Sequence, residues 1–161
     1  MASVDPRTIL IAYDGSPGAR HAVEAAGRIF PGRRAVVASV WSSVADVVPA
    51  SVIAIPPDVA REASDLLDRE TETGSERDAQ EGARLAEDAG LQATPRNERC
   101  VGNVWSTLVR VADREDAAVV IVGSRGRSGV TSLLLGSVSS GLVHNCTRPV
   151  LVVRPPESGA A

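Results

Sequence analysis

The sequence predicts an α/β fold in which a five-stranded, parallel, open sheet is doubly wound by helices. Short aliphatic runs alternate with helical segments along the 161 residues, a pattern typical of strand–helix–strand units. Hydrophobic residues make up 43% of the chain but aromatic residues only 2%, so the core must be built from aliphatic side chains. The length predicts a single domain over residues 1–161, with a core at about 7–154 and a short loose tail at 155–161.

The first third of the chain predicts a strand–helix–strand unit. The aliphatic run 8–13 is typical of a buried strand, and it ends in a turn where Ser16 precedes Pro17. A hydroxyl residue before proline is a helix N-terminus signal, so we expect a helix from there to about Phe30. The run 34–41 then predicts a second strand parallel to the first. The apolar stripe of the helix is expected at Ala19, Ala22, Val23, Ala26 and Ile29.

The middle of the chain has a weaker pattern. Residues 42–61 are interrupted by prolines and predict a loop. The highly charged segment 65–88 predicts a helix with a solvated face, frayed near Gly74. A strand over 91–101 is expected from topology more than from pattern, and a helix over 104–115 has its apolar residues on one face.

A buried strand followed by a glycine-rich loop is the most informative stretch. Residues 117–122 are aliphatic and predict the fourth strand, and Ser137 follows the loop at the start of another helix. Glycines let the backbone approach a phosphate closely, and the first N–H groups of a helix are free to bind it. This order therefore predicts an anion-binding site. The glycines of the loop are Gly123, Gly126, Gly129 and Gly136.

The glycine spacing resembles that of the universal stress proteins. Two residues separate Gly123 from Gly126, nine separate Gly126 from Gly136, and Ser137 follows directly. ATP-binding members of that family carry the same pattern of glycines and a hydroxyl residue. The resemblance implies the sheet order 3-2-1-4-5, in the adenine-nucleotide hydrolase-like or Rossmann-like group. It also implies ATP as the ligand, with Mg²⁺, and a homodimer formed through the predicted fifth strand, Pro149–Val153.

The resemblance also assigns residues to the site. It places the Asp14 carboxylate on ribose, adenine or Mg²⁺, although an Asx turn explains Asp14 equally well. It places the backbone of Val40 against adenine. The loop glycines and the start of the last helix are expected to bind ribose and phosphates, so that a side chain at Gly123 or Gly136 would fill the phosphates' path. The full predicted set is Ala12, Asp14, Val40, Gly123, Arg125, Gly126, Arg127, Gly136, Ser137, Val138 and Ser139.

Fast phosphoryl transfer is not predicted. The glycine loop does not end in Gly-Lys-Ser/Thr, and His21 and His144 have no partner at catalytic or metal-ligating spacing. The function predicted is therefore a nucleotide-responsive regulatory module in the stress response, with slow hydrolysis at most. Two alternatives stay open: a nucleotide-free scaffold that binds proteins, and an ATPase or nucleotidyl-transferring enzyme of the same fold.

The charge and the cysteine content limit which binding partners and which cysteine roles are expected. The chain has 17 basic and 20 acidic residues, a net charge of −3, which favours neither nucleic acid nor an anionic membrane. The N-terminus has no signal-peptide pattern and no run is long enough to span a bilayer, so a cytoplasmic location is expected. Cys100 and Cys146 lack metal or redox spacing and are interpreted as packing residues. Gly141, Thr147 and Arg148 depart from the family pattern and affect packing only.

Overall fold

The computed structural model describes residues 8–47, 56–127 and 135–155. Strands and helices alternate along this part of the chain, with one additional short helix after the second strand. The elements are β1 (Ile9–Ala12), α1 (Pro17–Ile29), β2 (Arg34–Trp41), α2 (Val44–Val47), α3 (Pro57–Asp88), β3 (Gln92–Arg99), α4 (Val104–Arg114), β4 (Val119–Gly123), α5 (Ser137–Asn145) and β5 (Val150–Val153).

The five strands form one parallel sheet in the order β3-β2-β1-β4-β5, which confirms the expected fold class and strand order. Ile9 of β1 is in register with Ala35 of β2 on one side and with Val119 of β4 on the other. β1 is therefore the centre of the sheet. The strand order reverses between β1 and β4, and such a switch point opens a crevice at the carboxyl ends of the strands.

Side chains of β1 alternate between two cores. Ile9 and Ile11 are fully buried in a core under α1 and α3, whereas Leu10 packs on the opposite face with Leu108 of α4 and Leu142 of α5. A strand that is buried on both faces has no polar positions, which is why its sequence is a continuous aliphatic run. Packing on both faces fixes the position of the central strands, and with it the edge of the sheet at which they end.

The predicted loop 42–61 is wrong at both ends. The carboxylate of Asp68 accepts hydrogen bonds from the Ser43 hydroxyl (2.6 Å) and the Val44 N–H (2.7 Å), and these hold the first turn of α2 against α3. The same bonds keep the pKa of Asp68 below its ordinary value. Pro57 lies in the first turn of α3, where proline starts a helix rather than breaking one. Residues 48–55 of the predicted loop lie outside the described residues.

Two other expectations about the helices are also wrong. α3 continues through Gly74 without fraying, because the adjacent Ser75 is buried and its hydroxyl donates to Ser39 of β2 at 2.9 Å. Ile29 does not join the buried stripe of α1, since 54% of its surface is exposed at the end of the helix. The other four predicted stripe residues of α1 are buried.

The strand expected from topology more than from pattern is present as β3, and its residues are exposed or half-buried. It pairs with β2 along eight residues, from Arg34 opposite Gln92 to Trp41 opposite Arg99. Pro95 and the charged side chains on this edge strand discourage pairing with another chain. The weak apolar signal of this segment therefore reflects its position at the edge of the sheet.

Gly141 is needed for packing, although glycine is a poor helix former. A Cβ atom at Gly141 would lie 2.3 Å from the Cδ1 atom of Trp105, so the absence of a side chain lets α5 press against the indole on α4. Glycine in a helix interior costs up to about 1 kcal/mol relative to alanine. Here close packing of the two helices accounts for the departure from the family pattern.

Burial predicts a clear difference between two isoleucines. We expect Ile11→Ala to lower the free energy of unfolding by about 2–5 kcal/mol, because the fully buried side chain leaves a cavity in the central strand. The matched variant Ile29→Ala should change it by less than about 0.5 kcal/mol. Urea denaturation followed by circular dichroism measures both. Equal losses in the two variants would contradict the described core.

Candidate functional site

A cleft of about 310 Å³ opens at the carboxyl edge of the sheet. It lies where β1, β2 and β4 end, next to the N-terminal turns of α4 and α5, and so occupies the switch point of the fold. Its lining residues are Ala12, Tyr13, Asp14, Ala19, Ala38, Val40, Val104, Leu108, Val122, Gly123, Arg125, Gly126, Arg127, Gly136, Ser137, Val138 and Ser139.

All eleven residues predicted from the sequence line this cleft. They come from the end of β1, the end of β2, the loop after β4 and the first turn of α5, segments that are far apart in the chain. The fold thus brings the predicted set together at one place. Their contacts with a nucleotide stay predictions.

The lining divides by chemistry. Ala38 and Val40 of β2, Val104 and Leu108 of α4, and Val122 of β4 provide apolar surface. The loop after β4 and the start of α5 provide backbone N–H groups, hydroxyls and two guanidinium groups. An apolar surface beside a group of anion-binding donors suits a ligand that has both a flat apolar part and a charged part.

Gly123 is required for packing within the protein. A Cβ atom there would lie 2.7 Å from the carbonyl carbon and oxygen of Gly18, so the end of β4 touches the backbone of α1. Gly18 is constrained in the same way, since its Cβ would lie 2.6 Å from the carbonyl oxygen of Arg125. The expectation that a side chain at Gly123 would mainly fill a phosphate path is therefore wrong, because the protein's own backbone occupies that space.

Gly136 is different, because the described residues leave room beside it. Among them, the nearest neighbour of a Cβ atom at Gly136 would be the carbonyl oxygen of Ser124, at 3.4 Å. Gly136 is the N-cap of α5 and, being a glycine, has no side chain with which to cap the helix. Ser137 and Val138, which carry the first N–H groups of α5, belong to the cleft lining.

The Ser139 hydroxyl holds the start of α5 in place. It is buried and donates to the carbonyl oxygen of Ser124 at 3.0 Å, while the Gly136 N–H donates to the same oxygen at 2.8 Å. This hydroxyl is committed to the protein backbone. Ser137, in contrast, is exposed at the mouth of the cleft.

Asp14 forms the Asx turn considered as its alternative role. Its Oδ1 atom accepts from the Ser16 N–H at 3.0 Å, and the Ser16 hydroxyl accepts in turn from the Ala19 N–H at 3.1 Å as the N-cap of α1. Asp14 also lines the cleft, and a Cβ at Gly126 would lie 2.8 Å from its Oδ2 atom. The turn fixes one carboxylate oxygen and leaves the other beside the glycine loop.

Arg127 crosses from the glycine loop to two other elements. Its Nε–H donates to the carbonyl oxygen of Asp14 at 2.6 Å, and its Nη2 group forms an ion pair with Asp78 of α3. The Arg127 side chain is 67% exposed and that of Asp78 is 20% exposed. A long side chain of the cleft lining is therefore held by a carboxylate that does not itself line the cleft.

Tyr13 is the largest side chain of the lining that the sequence did not single out. It is 2% exposed, and its hydroxyl donates to Glu81 of α3 at 2.7 Å. Glu81 also pairs with Arg20 at 2.5 Å. Burial, and then the hydrogen bond and negative charge of Glu81, raise the pKa of Tyr13 well above its ordinary value. Tyr13 is consequently a neutral phenol that joins the cleft wall to α3.

The other unpredicted lining residues are Ala19, Ala38, Val104, Leu108 and Val122. Each belongs to an apolar face or strand run, where the sequence indicates burial but not exposure to a cavity. The sequence around Asp78 does not indicate a role at the cleft either, because its partner Arg127 is 49 residues away.

Metal ligands are sparse in the described structure. Within residues 8–47, 56–127 and 135–155, no group of three or more His, Cys, Asp or Glu side chains is placed to hold a metal ion. Cys100 is buried and Cys146 half-buried, in agreement with packing roles. His21 is half-buried and His144 is exposed.

No helix in the described part of the chain has the length and apolar character needed to cross a membrane.

The geometry defines a class of protein first. A doubly wound parallel sheet with a glycine loop and a helix N-terminus at its switch point is a Rossmann-like α/β fold with a ligand cleft in the usual place. Comparison with known proteins then gives the family. The family model described as the universal stress protein family matches residues 6–154, and the chain belongs to this family.

Individual proteins agree with this assignment. A universal stress protein of Mycolicibacterium smegmatis is 34% identical over 152 residues, which cover 91% of this chain and 45% of the relative. This chain spans about half the length of the curated relatives that match most of it.

Solved structures share the fold. The Methanocaldococcus jannaschii protein MJ0577 gives a TM-score of 0.75 at 20% identity, over 96% of this chain and 100% of that chain. A universal stress protein solved in complex with cAMP gives a TM-score of 0.59 at 26% identity, over 91% of this chain and 96% of that chain.

Alkaline titration tests the environment of Tyr13, the only tyrosine in the chain. We expect the phenolate absorbance of the folded protein to appear well above pH 10, the ordinary pKa of tyrosine. Because folding favours the neutral phenol, its contribution to stability is complete below about pH 10 and is lost as the pH rises further.

The variant Glu81→Gln separates the causes of this shift. It removes the neighbouring charge but keeps an acceptor, so the pKa of Tyr13 should fall partway and stay above its ordinary value because burial remains. A Tyr13 that titrates normally in the folded wild-type protein would contradict the described wall of the cleft.

Proposed function

We propose that this protein is an ATP-binding universal stress protein domain that acts as a nucleotide-responsive regulatory module. The observation that carries the proposal is the convergence of the eleven predicted residues on one cleft at the switch point of the sheet. The fold and family are those of a group in which one solved relative is in complex with cAMP, an adenine nucleotide. Among adenine nucleotides, ATP is the ligand proposed for this chain.

The chemistry of the cleft supports a nucleotide. The apolar surface from β2, β4 and α4 suits a flat base, with the half-buried Val40 at the end of β2 beside it. The N–H groups at the start of α5 suit phosphates, because a helix N-terminus carries partial positive charge. Arg125 and Arg127 add two full positive charges to the lining. Asp14 is then best placed toward the sugar, the base or a bound Mg²⁺ ion, since its charge would repel phosphates in direct contact.

Regulation is favoured over turnover. Among the residues that the structure describes, the lining contains no lysine and no histidine, the residues most often used to neutralise a γ-phosphate or to accept a proton. Slow hydrolysis at most is therefore expected, and steady turnover well above one product per minute per site would favour the enzyme alternative.

Magnesium would enter with the nucleotide. The described residues offer no cage of three acidic or histidine ligands, and Asp14 is the one carboxylate of the lining. Mg²⁺ is commonly bound through one or two carboxylates together with substrate phosphates and water. The residues present thus fit a Mg²⁺ ion held mainly by the phosphate tail, with Asp14 as the candidate protein ligand.

Gly136 provides the sharpest test of the site. We expect Gly136→Val to fold, because its Cβ position has only ordinary contacts, and to lose ATP affinity by about tenfold or more, because the new side chain stands at the α5 N-terminus where phosphates would bind. Equilibrium dialysis with ATP and Mg²⁺ measures the affinity. Gly123 is unsuitable for this test, because its side chain would strike the backbone of Gly18.

Gly74→Val is the matched control. Gly74 lies in α3, and a Cβ atom there meets nothing within 4 Å, so the same change of residue should leave ATP affinity unaltered. Equal affinity in wild type and Gly136→Val would contradict the proposed site. An absence of ATP binding in the wild-type protein would favour the nucleotide-free, protein-binding scaffold.

A homodimer through β5 is the second part of the proposal. β5 is an edge strand of aliphatic residues that are only half-buried, whereas β3 at the other edge carries Pro95 and charged side chains. Pairing of two β5 strands would cover the edge that lacks such protection. Protein partners are unidentified, and the proposed location is the cytoplasm.

Sedimentation tests the dimer. The carbonyl oxygens of Pro149 and Val153 accept hydrogen bonds from the N–H groups of Val120 and Ser124, on the β4 side of the strand. Because backbone groups alternate in direction along a strand, those of Val152 point to the outer edge of the sheet. We expect a dimer mass for the wild type at micromolar concentration and a monomer for Val152→Pro, which removes an outward N–H and spares the β4 pairing. A wild-type monomer would contradict this part of the proposal.

A further inference from the structure

We propose that Asp78 of α3 competes with the phosphates of the bound nucleotide for the guanidinium of Arg127. Phosphate occupancy would then break the Arg127–Asp78 ion pair and be felt by α3. This inference rests on the proposed nucleotide site and adds a residue outside the cleft that sets its affinity.

Arg127 lines the cleft but is held by a residue outside it. This side chain lines the cleft, yet its Nη2 group points to Asp78, which is not part of the lining. The Nε–H remains on the carbonyl oxygen of Asp14 at 2.6 Å. The guanidinium is thus anchored at one nitrogen beside the glycine loop while its far end is held by a carboxylate on another element.

The Arg127–Asp78 ion pair lies directly beside the turn that follows β1. Gly15 has a positive φ of 76°, and a Cβ atom there would lie 3.1 Å from Asp78 Oδ1 and 3.7 Å from Arg127 Nη2. The turn after β1 therefore borders the ion pair without a side chain between them. Asp78 is brought to this turn by the same helix face that, three residues later, places Glu81 on Tyr13 and Arg20.

The Arg127–Asp78 ion pair is expected to be weaker than a contact between Arg127 and a phosphate. An ion pair in which one partner is 67% exposed is weakly held. A phosphate presents more negative charge than a carboxylate and bonds well to the planar fork of arginine. A phosphorylated ligand in the cleft can therefore displace Asp78. By linkage, the ion pair must in turn weaken the binding of that ligand.

The test uses Asp78→Asn, Arg127→Met and the double variant, each titrated with ATP and with adenosine. Asp78→Asn should tighten ATP binding by up to about fivefold, the upper end of what an exposed ion pair contributes, and leave adenosine unchanged. Arg127→Met should weaken ATP about tenfold, as expected for a lost charged hydrogen bond. In the Arg127→Met background, Asp78→Asn should have no further effect.

The double variant separates competition from a general effect of charge. If Asp78→Asn tightens ATP equally with and without Arg127, simple repulsion explains the gain and the inference is overturned. It is also overturned if Asp78→Asn leaves ATP affinity unchanged. Glu76→Gln, an exposed carboxylate on the same helix, removes the same charge and should change ATP affinity little.

Failure of the proposed function gives a different pattern. A wild-type protein that binds neither ATP nor adenosine would overturn both proposals, whereas normal ATP binding without an Asp78 effect would overturn this one alone. If Asp78→Asn is poorly folded by circular dichroism, Arg127→Met still tests the inference. It must lower ATP affinity and spare adenosine, and an unchanged ATP affinity would overturn the inference.

Discussion

The contact between backbone and backbone at the end of β4 is the constraint on which the rest of the site depends. Gly123 meets the carbonyl of Gly18 and Gly18 meets the carbonyl of Arg125, at separations that admit no side chain. The loop after the fourth strand is thereby pressed against the first turn of α1. Two glycines far apart in the chain act as one feature, because either one with a side chain would push the two elements apart. With the loop fixed there, the start of α5 and the end of β1 border the same cleft.

Polar contacts complete this arrangement. The Ser124 carbonyl receives both the Ser139 hydroxyl and the Gly136 N–H, so α5 begins at a fixed point beside β4. On the other side, α3 is joined to the carboxyl edge through Ser75 on Ser39 and Glu81 on Tyr13. A Cβ at Gly82 would lie 2.7 Å from the Tyr13 ring, so this helix also packs very closely. The long helix α3 thus reaches the wall of the cleft through these contacts.

The sequence predicted the sheet and a set of residues that share one cleft, because both depend on local patterns. Aliphatic runs marked the buried strands, and the spacing of Gly123, Gly126 and Gly136 marked the loop. The start of α3 was missed because Pro57 was interpreted as a breaker, although it stands in the first helical turn. The reason for Gly123 was missed because the clash involves a backbone more than 100 residues away. Asp78 and Tyr13 were missed for a related reason: their roles arise from contacts between elements, which no local pattern records.

Amide chemical shifts in an ATP titration test the central claim most directly, because they report both binding and its location. The account predicts that saturating ATP with Mg²⁺ shifts the amides of Gly126, Ser137 and Val138, which lie in the loop and the first turn of α5. Amides of β3, at the far edge of the sheet, should stay unchanged. An unchanged spectrum at saturating ATP, or shifts that spare the α5 N-terminus and appear elsewhere, would contradict the account.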